Sequence, residues 1–193
     1  MNITQLRRIL EAHNIPLDEW GKGKARTVEQ FLKELNSGES LLTSVDGELF
    51  RSSQGSVVEI HYFDCNLRQH YMLTELHQIL ANGRIITRDI PFSIGEKILP
   101  NESSLDAARR AFKEELGITE KIALREKIGY TQGPVPSTSY PGIITSYYVD
   151  VWFADLPHHL YKKEGYTEVQ SDKTSEFVWT PYHIWKGWFP KPV

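Results

Sequence analysis

One stretch limits the folds open to this chain more than any other. From Gly95 to Ile118 it reads GEKILPNESSLDAARRAFKEELGI, a polar loop feeding one helix. Ser103 and Asp106 stand at capping-box spacing, and Gly117 falls just past the last turn, where a left-handed residue is expected. At about 100° per residue, Leu105, Ala108, Phe112 and Leu116 share one arc of roughly 80°, which predicts a helix over 104–116 with that arc buried. Glu115 lies at the edge of the arc, Ala111 next to it and Glu114 one step further round. Asp106, Arg110 and Glu114 follow at i, i+4 on the wet side, spaced to pair in sequence.

The segments around this helix read mainly as strands. Leu41–Thr43 and Glu48–Phe50 flank Asp46-Gly47, a two-residue hairpin signal. Val57–Phe63 is expected to pair with Tyr71–Leu80, and Asn82-Gly83 turns the chain into Arg84–Ile90. After the helix come a strand within Ala123–Gly129, a Pro/Gly/Ser-rich loop over Thr131–Gly142, and a long aromatic strand, Ile143–Phe153. Phe177–Trp179 reads as a last strand and Tyr182–Phe189 as a short aromatic helix.

Residues 1–36 are helical in pattern. Ile3, Leu6, Ile9 and Leu10 recur at helical spacing until His13-Asn14-Ile15-Pro16. Thr27 and Gln30 form a capping box for a second helix, whose stripe is Val28, Phe31, Leu32 and Leu35 and whose end is Gly38. Trp20–Lys24 between them has two glycines and two lysines but not the spacing of a phosphate loop, so it reads as a solvated linker. Strands around a central helix give an α+β class. The expected organisation is a small helical segment, 1–38, followed by a domain over 39–193.

Composition narrows the function classes. The 193 residues carry a formal charge of −3, with 22 Lys+Arg against 25 Asp+Glu, too few cations for a nucleic-acid-coating protein. A lone cysteine, Cys65, excludes a disulfide framework or a Cys-based zinc site. No apolar run approaches the roughly 18 residues of a membrane span. Arg7, Arg8, Glu11, Asp18 and Glu19 break up any secretory apolar core. A cytoplasmic protein with no nucleic-acid or membrane partner is the expectation, and a homodimer is among the assemblies it allows.

The chemistry points to Glu114 and Glu115. Each of two adjacent carboxylates at a core edge disfavours ionisation of the other, and a divalent cation resolves the repulsion. Oxygen-only donors suit Mg²⁺ or Mn²⁺. The plainer alternative is a solvated helix end paired with Lys113 or Lys121. His61, His70 and His77 read as strand-surface residues, and the adjacent His158-His159 pair would point to opposite faces of a strand. The Trp185–Trp188 pair reads as packing on a sheet.

The stretch 95–118 resembles the Nudix box, the loop–helix–loop of Nudix hydrolases, through Glu102, Arg110, Phe112, Glu114, Glu115, Gly117 and Ile118. The resemblance implies an α/β/α sandwich with a mixed, mostly antiparallel sheet. It also implies Mg²⁺- or Mn²⁺-dependent hydrolysis of a nucleoside diphosphate-linked compound. In that scheme Glu114 and Glu115 are the catalytic metal ligands. Glu102 and Arg110 form a salt bridge that, with Gly117, shapes the box, and Tyr140 sits on a substrate loop as a candidate base-stacking residue. Two departures stand out. The opening glycine comes one residue early, with Glu96 where the family has Gly, and Ala111 replaces the first box glutamate, a principal ligand. A carboxylate from Glu164, Glu168, Asp172 or Glu176 is available to substitute. Three functions stay open: a metal-dependent hydrolase with an altered ligand set, a nucleotide- or nucleotide-sugar-binding module without catalysis, and a regulatory protein-interaction domain.

Overall fold

The computed structural model describes residues 1–88 and 90–182. Among them the elements run α1 (Ile3–Ala12), α2 (Val28–Ser37), β1 (Leu41–Val45), β2 (Glu48–Asp64), β3 (Gln69–Leu80), β4 (Ile85–Ile86), β5 (Ile94–Lys97), α3 (Ser104–Leu116), β6 (Leu124–Pro136), β7 (Ile144–Asp155), β8 (Tyr166–Val169) and β9 (Lys173–Pro181). The class is α+β, as the pattern predicts. The strand order is β6-β7-β2-β3-β9-β8, with β1 and β5 on β2 and β4 on β3. The pairings β1–β2, β2–β3, β3–β4, β3–β9 and β8–β9 are antiparallel.

The chain divides into two compact units. The first holds Met1–Gly55, Lys97–Ser103 and Gly129–Val149; the second holds Ser56–Glu96, Ser104–Ile128 and the described residues from Asp150. β2, β6 and β7 each run through both, so no single linker separates them.

In the first unit, both capping boxes form. Asn2 pairs with Gln5 and Thr27 with Gln30, and Gly38 closes α2 in left-handed backbone. Asp46 and Gly47, at φ 50° and 85°, make the two-residue turn that sets Val45 opposite Glu48; both left-handed positions match a type I′ turn, which favours Asp-Gly. The core gathers Leu6, Leu10, Trp20, Val28, Phe31, Leu49, Tyr140 and Ile143.

Inside that core lies a carboxylate. Glu34 is 4% exposed. Its Oε2 accepts from Ser40 Oγ at 2.9 Å and from Arg51 Nη2 at 2.9 Å. Its Oε1 accepts from the Tyr140 hydroxyl at 2.8 Å, from Lys97 Nζ at 2.9 Å and from Arg26. The Arg51 guanidinium lies 5.3 Å and 5.6 Å from the ring centres of Tyr140 and Tyr147. Those π faces cover it where its Nε and Nη1 make no hydrogen bond. Burial pushes the Glu34 carboxyl up, but Lys97, the Tyr140 hydroxyl and Arg51 outweigh it and hold the pKa at about 2.

Three expectations change here. β6 continues to Pro136, so much of the loop expected over 131–142 is strand. Tyr140 is 0% exposed, packed 4.4 Å from Phe31 and 5.1 Å from Trp20 between ring centres; it anchors the core and cannot stack on a substrate base. Among the described residues of the expected 84–90 strand, Ile85–Ile86 alone pair, with β3. The predicted C-terminal aromatic helix with Trp185 and Trp188 lies outside the described residues.

Removing the anion takes its carboxylate partner from the buried Arg51 and one partner each from Arg26 and Lys97, so Glu34→Gln should lower stability by about 3–5 kcal/mol in urea denaturation. The folded pKa lies below the ordinary 4.5. The wild type should therefore hold this contribution in full above pH 4.5 and lose it as pH falls toward about 2, a slope that Glu34→Gln should flatten.

Candidate functional site in the second unit

α3 spans the predicted residues, but its buried face differs. Ala107, Ala108, Ala111, Phe112 and Leu116 are the buried positions, while Leu105 is only partly covered. On a helical wheel this arc is turned by about 50° from the expected one, toward Ala111. The turn places Glu115 near the middle of the buried side. Small alanines let the helix lie close to the sheet, and Glu115 goes in with them. At the C-terminal end Gly117, at φ 67°, donates to Lys113 O, and Ile118 N–H to Phe112 O at 3.0 Å. The 5→1 bond from Gly117 to Lys113 is that of the αL C-cap, for which glycine is suited.

Under α3 the sheet changes character row by row. Paired residues share a face, so Glu75, Phe177 and Tyr166 form one row and Gln78, Ser175 and Glu168 the next. Phe177 and Tyr166 belong to the apolar core with Val58, Ile60, Leu73 and Phe112. The neighbouring row is polar yet almost as buried: Gln78 is 7%, Ser175 1% and Glu168 6% exposed. The apolar floor thus ends in a buried polar strip. Such a strip is costly unless its groups have partners.

Glu115 meets this strip. Its Oε1 accepts from Gly95 N–H at 2.8 Å. Burial drives its pKa up to about 8; the Gly95 bond and Lys173 oppose that, while Glu168 and Glu96 add to it. Burial also raises Glu96, against Arg110 and with added repulsion from Glu114 and Glu168. Arg110 Nη1 stands 3.2 Å from Glu96 Oε2 and 3.2 Å from Glu114 Oε2, bridging the two. Glu168 Oε1 accepts from Gln170. Glu115 therefore feels Glu168 and Glu96, and Glu96 feels Glu114 and Glu168.

The two box glutamates part ways. Glu115 turns inward, while the Glu114 side chain is 48% exposed and tied to Arg110. On that outer side lies a cleft of about 550 Å³ with Arg109, Arg110, Lys113 and Lys121 around Phe112, Ile118 and Ile122. Glu102 accepts from Leu99 N–H at 2.9 Å within its loop. Ala111 is 0% exposed in the core. Sequence reasoning passed over Glu96 and the Glu75–Gln78–Ser175 strip. Glu96 was visible as a box departure; the strip depends on strand register and had no local signal. Among the described residues, no three His, Cys, Asp or Glu side chains stand ready to hold a metal ion. His61 lies 3.4 Å from Glu59 and His77 3.3 Å from Glu176. His158 and His159 sit on a 3₁₀ turn rather than a strand, bonded to the Tyr62 hydroxyl and to Glu120.

No protein-family model matches the chain, and no curated protein matches it. Among solved structures it is similar to a MutT/nudix family protein from Enterococcus faecalis, with TM-score 0.45 and 16% identity over 80% of this chain and 51% of that one. A C. elegans Ap4A hydrolase gives TM-score 0.36 and 16% identity over 64% and 79%. The T. brucei MERS1 protein in its apo form gives 0.37 and 16% over 86% and 63%. The chain spans about half the length of the E. faecalis protein. Among the described residues, no helix is long and apolar enough to cross a membrane.

Two outcomes follow from the burial. Ala111→Glu puts a charge into a packed apolar face and should cost about 2 kcal/mol or more in thermal or urea unfolding. Because the Glu115 pKa is raised above 4.5 when folded, its contribution to stability falls as pH rises from 4.5 through about 8. Glu115→Gln should therefore stabilise the metal-free protein at pH 8, and pH-dependent melting in a chelator checks this.

Proposed function

We propose that this chain is a Nudix-type hydrolase of a nucleoside diphosphate-linked compound, with Glu96 and Glu168 making up for the glutamate that Ala111 replaces. The observation that supports this best is the crowding of Glu96, Glu114, Glu115 and Glu168 beside the box helix. Uncompensated, such crowding disfavours ionisation; a divalent cation relieves it. The donors are all carboxylate oxygens, which suits Mg²⁺ or Mn²⁺. Mg²⁺ commonly takes only one or two protein carboxylates, with water and substrate phosphates filling the rest, so a ready three-donor set is not required. Glu115 is the proposed inner ligand, with Glu114 joining from the outer side and Glu168 standing as the base.

When bound, such an ion neutralises the diphosphate and lowers the pKa of an attacking water. The chain's own residues supply the rest. Gly95 N–H fixes one oxygen of Glu115. Arg110 holds Glu96 and Glu114 at a set separation. Gln170 occupies Oε1 of Glu168, which leaves Oε2 to take a proton from water. The cationic, apolar-floored cleft beside Glu114 suits the remainder of an anionic substrate.

A second reading, a binding module without turnover, is favoured by Ala111 alone: the family's first ligand position here is core. Calorimetric titration with Mn²⁺ and product release from a panel of nucleoside diphosphate compounds separate the two. The hydrolase reading expects Mn²⁺ binding weakened about tenfold or more by Glu115→Ala and a rate lowered about 10²–10⁴-fold by Glu168→Gln. Mn²⁺-loaded protein that binds a nucleotide but never turns it over would leave the binding module.

A further inference from the structure

Beside the carboxylates stands an arginine that the proposed chemistry has not used. Glu75 sits in the row next to Gln78, Ser175 and Glu168, and its side chain is 1% exposed. A lone carboxylate there would be expensive. Arg88 covers it with both arms of its fork: Nε donates to Oε1 at 2.8 Å and Nη2 donates to Oε2. Gln78 Nε2 donates to the same Oε2 at 3.0 Å and reaches Ser175 Oγ at 3.4 Å. Ser175 lies opposite Glu168 in the β8–β9 register. A continuous polar path therefore joins Arg88 to the strip that Glu115 meets.

The two ends of this ion pair are unequal. Glu75 is closed off, while the Arg88 side chain is 43% exposed. Its bonds to Glu75 use Nε and one Nη2 proton. Both protons on Nη1 and the second on Nη2 have no partner among the described residues. Guanidinium forks match phosphate oxygens two at a time. An arginine whose plane is already fixed by a buried carboxylate loses less freedom when it binds. A pin for the 87–93 loop would need only the buried edge. The free edge beside a negatively charged patch has a different use.

We infer that Arg88 is a phosphate clamp, held in place by Glu75, that binds the diphosphate of the substrate next to the carboxylate patch. The inference rests on the proposed hydrolase reading for its substrate class. Here Arg88 is a binding residue and Glu75 a positioning residue.

The test is calorimetric titration of the full chain with inorganic pyrophosphate in Mg²⁺, paired with a separate Mn²⁺ titration without pyrophosphate. Arg88→Gln should weaken pyrophosphate about 10- to 100-fold and leave Mn²⁺ affinity unchanged. Arg88→Lys keeps the charge and the ion pair but loses the fork; it should fall between, and it serves if Arg88→Gln does not fold. Glu75→Gln should raise KM for a hydrolysed compound while sparing kcat, with Arg88 still present but no longer held. A folded Arg88 variant with wild-type pyrophosphate affinity overturns the clamp and leaves the metal reading standing. Wild-type protein that ignores pyrophosphate also overturns it. Pyrophosphate binding that depends on Arg88 in a protein without Mn²⁺ affinity would support the clamp and remove the hydrolase reading.

Discussion

The second unit depends on where the apolar floor beneath α3 stops. Three alanines on one side of the helix allow close approach to the sheet, and that approach carries Glu115 inward. An ionisable group drawn into such a place needs a donor and a polar wall. Gly95 N–H supplies the first; Gln78, Ser175 and Glu168 supply the second. Helix rotation, the early glycine and the polar row are consequences of one packing choice. Any of them taken alone would look like a defect.

The two units treat a buried glutamate in opposite ways. Around Glu34 the neighbours are Arg26, Arg51, Lys97 and two hydroxyls, and the carboxylate is held at about 2. Around Glu115 burial dominates, Glu168 and Glu96 add to it against Gly95 N–H and Lys173, and the pKa rises to about 8. The first arrangement is complete as it stands and builds a core. The second is incomplete in charge, and groups perturbed in that way concentrate at sites of chemistry.

Much of this fold is written locally, and that part is legible in the sequence. Asp46-Gly47, the box at Thr27, and Gly117 each act within a few residues, so spacing alone finds them. What depends on register or on distant segments is not. The pattern shows separate strands at Glu48–Phe50 and Val57–Phe63, yet β2 runs straight through from Glu48 to Asp64 because its partners hold both halves. Tyr140 sits in a Pro/Gly/Ser-rich context but reaches a glutamate 106 residues away. The rotation of α3 was missed because alanine carries little weight in an apolar pattern. Glu96 was in view as a departure from the box; its role appears only once Arg110 and Glu168 are seen beside it.

The N-terminal helices also carry a consequence for how this molecule can be divided. Glu34 belongs to α2, while the groups it neutralises come from β2, from the residue that closes β5, and from the turn before β7. A shorter version of the chain starting after that helix would keep Arg51 and Lys97, discard the carboxylate that faces the buried guanidinium and take one of the two that Lys97 meets, leaving it Glu39. Trimming such an extension would therefore open a charge imbalance inside the part that remains.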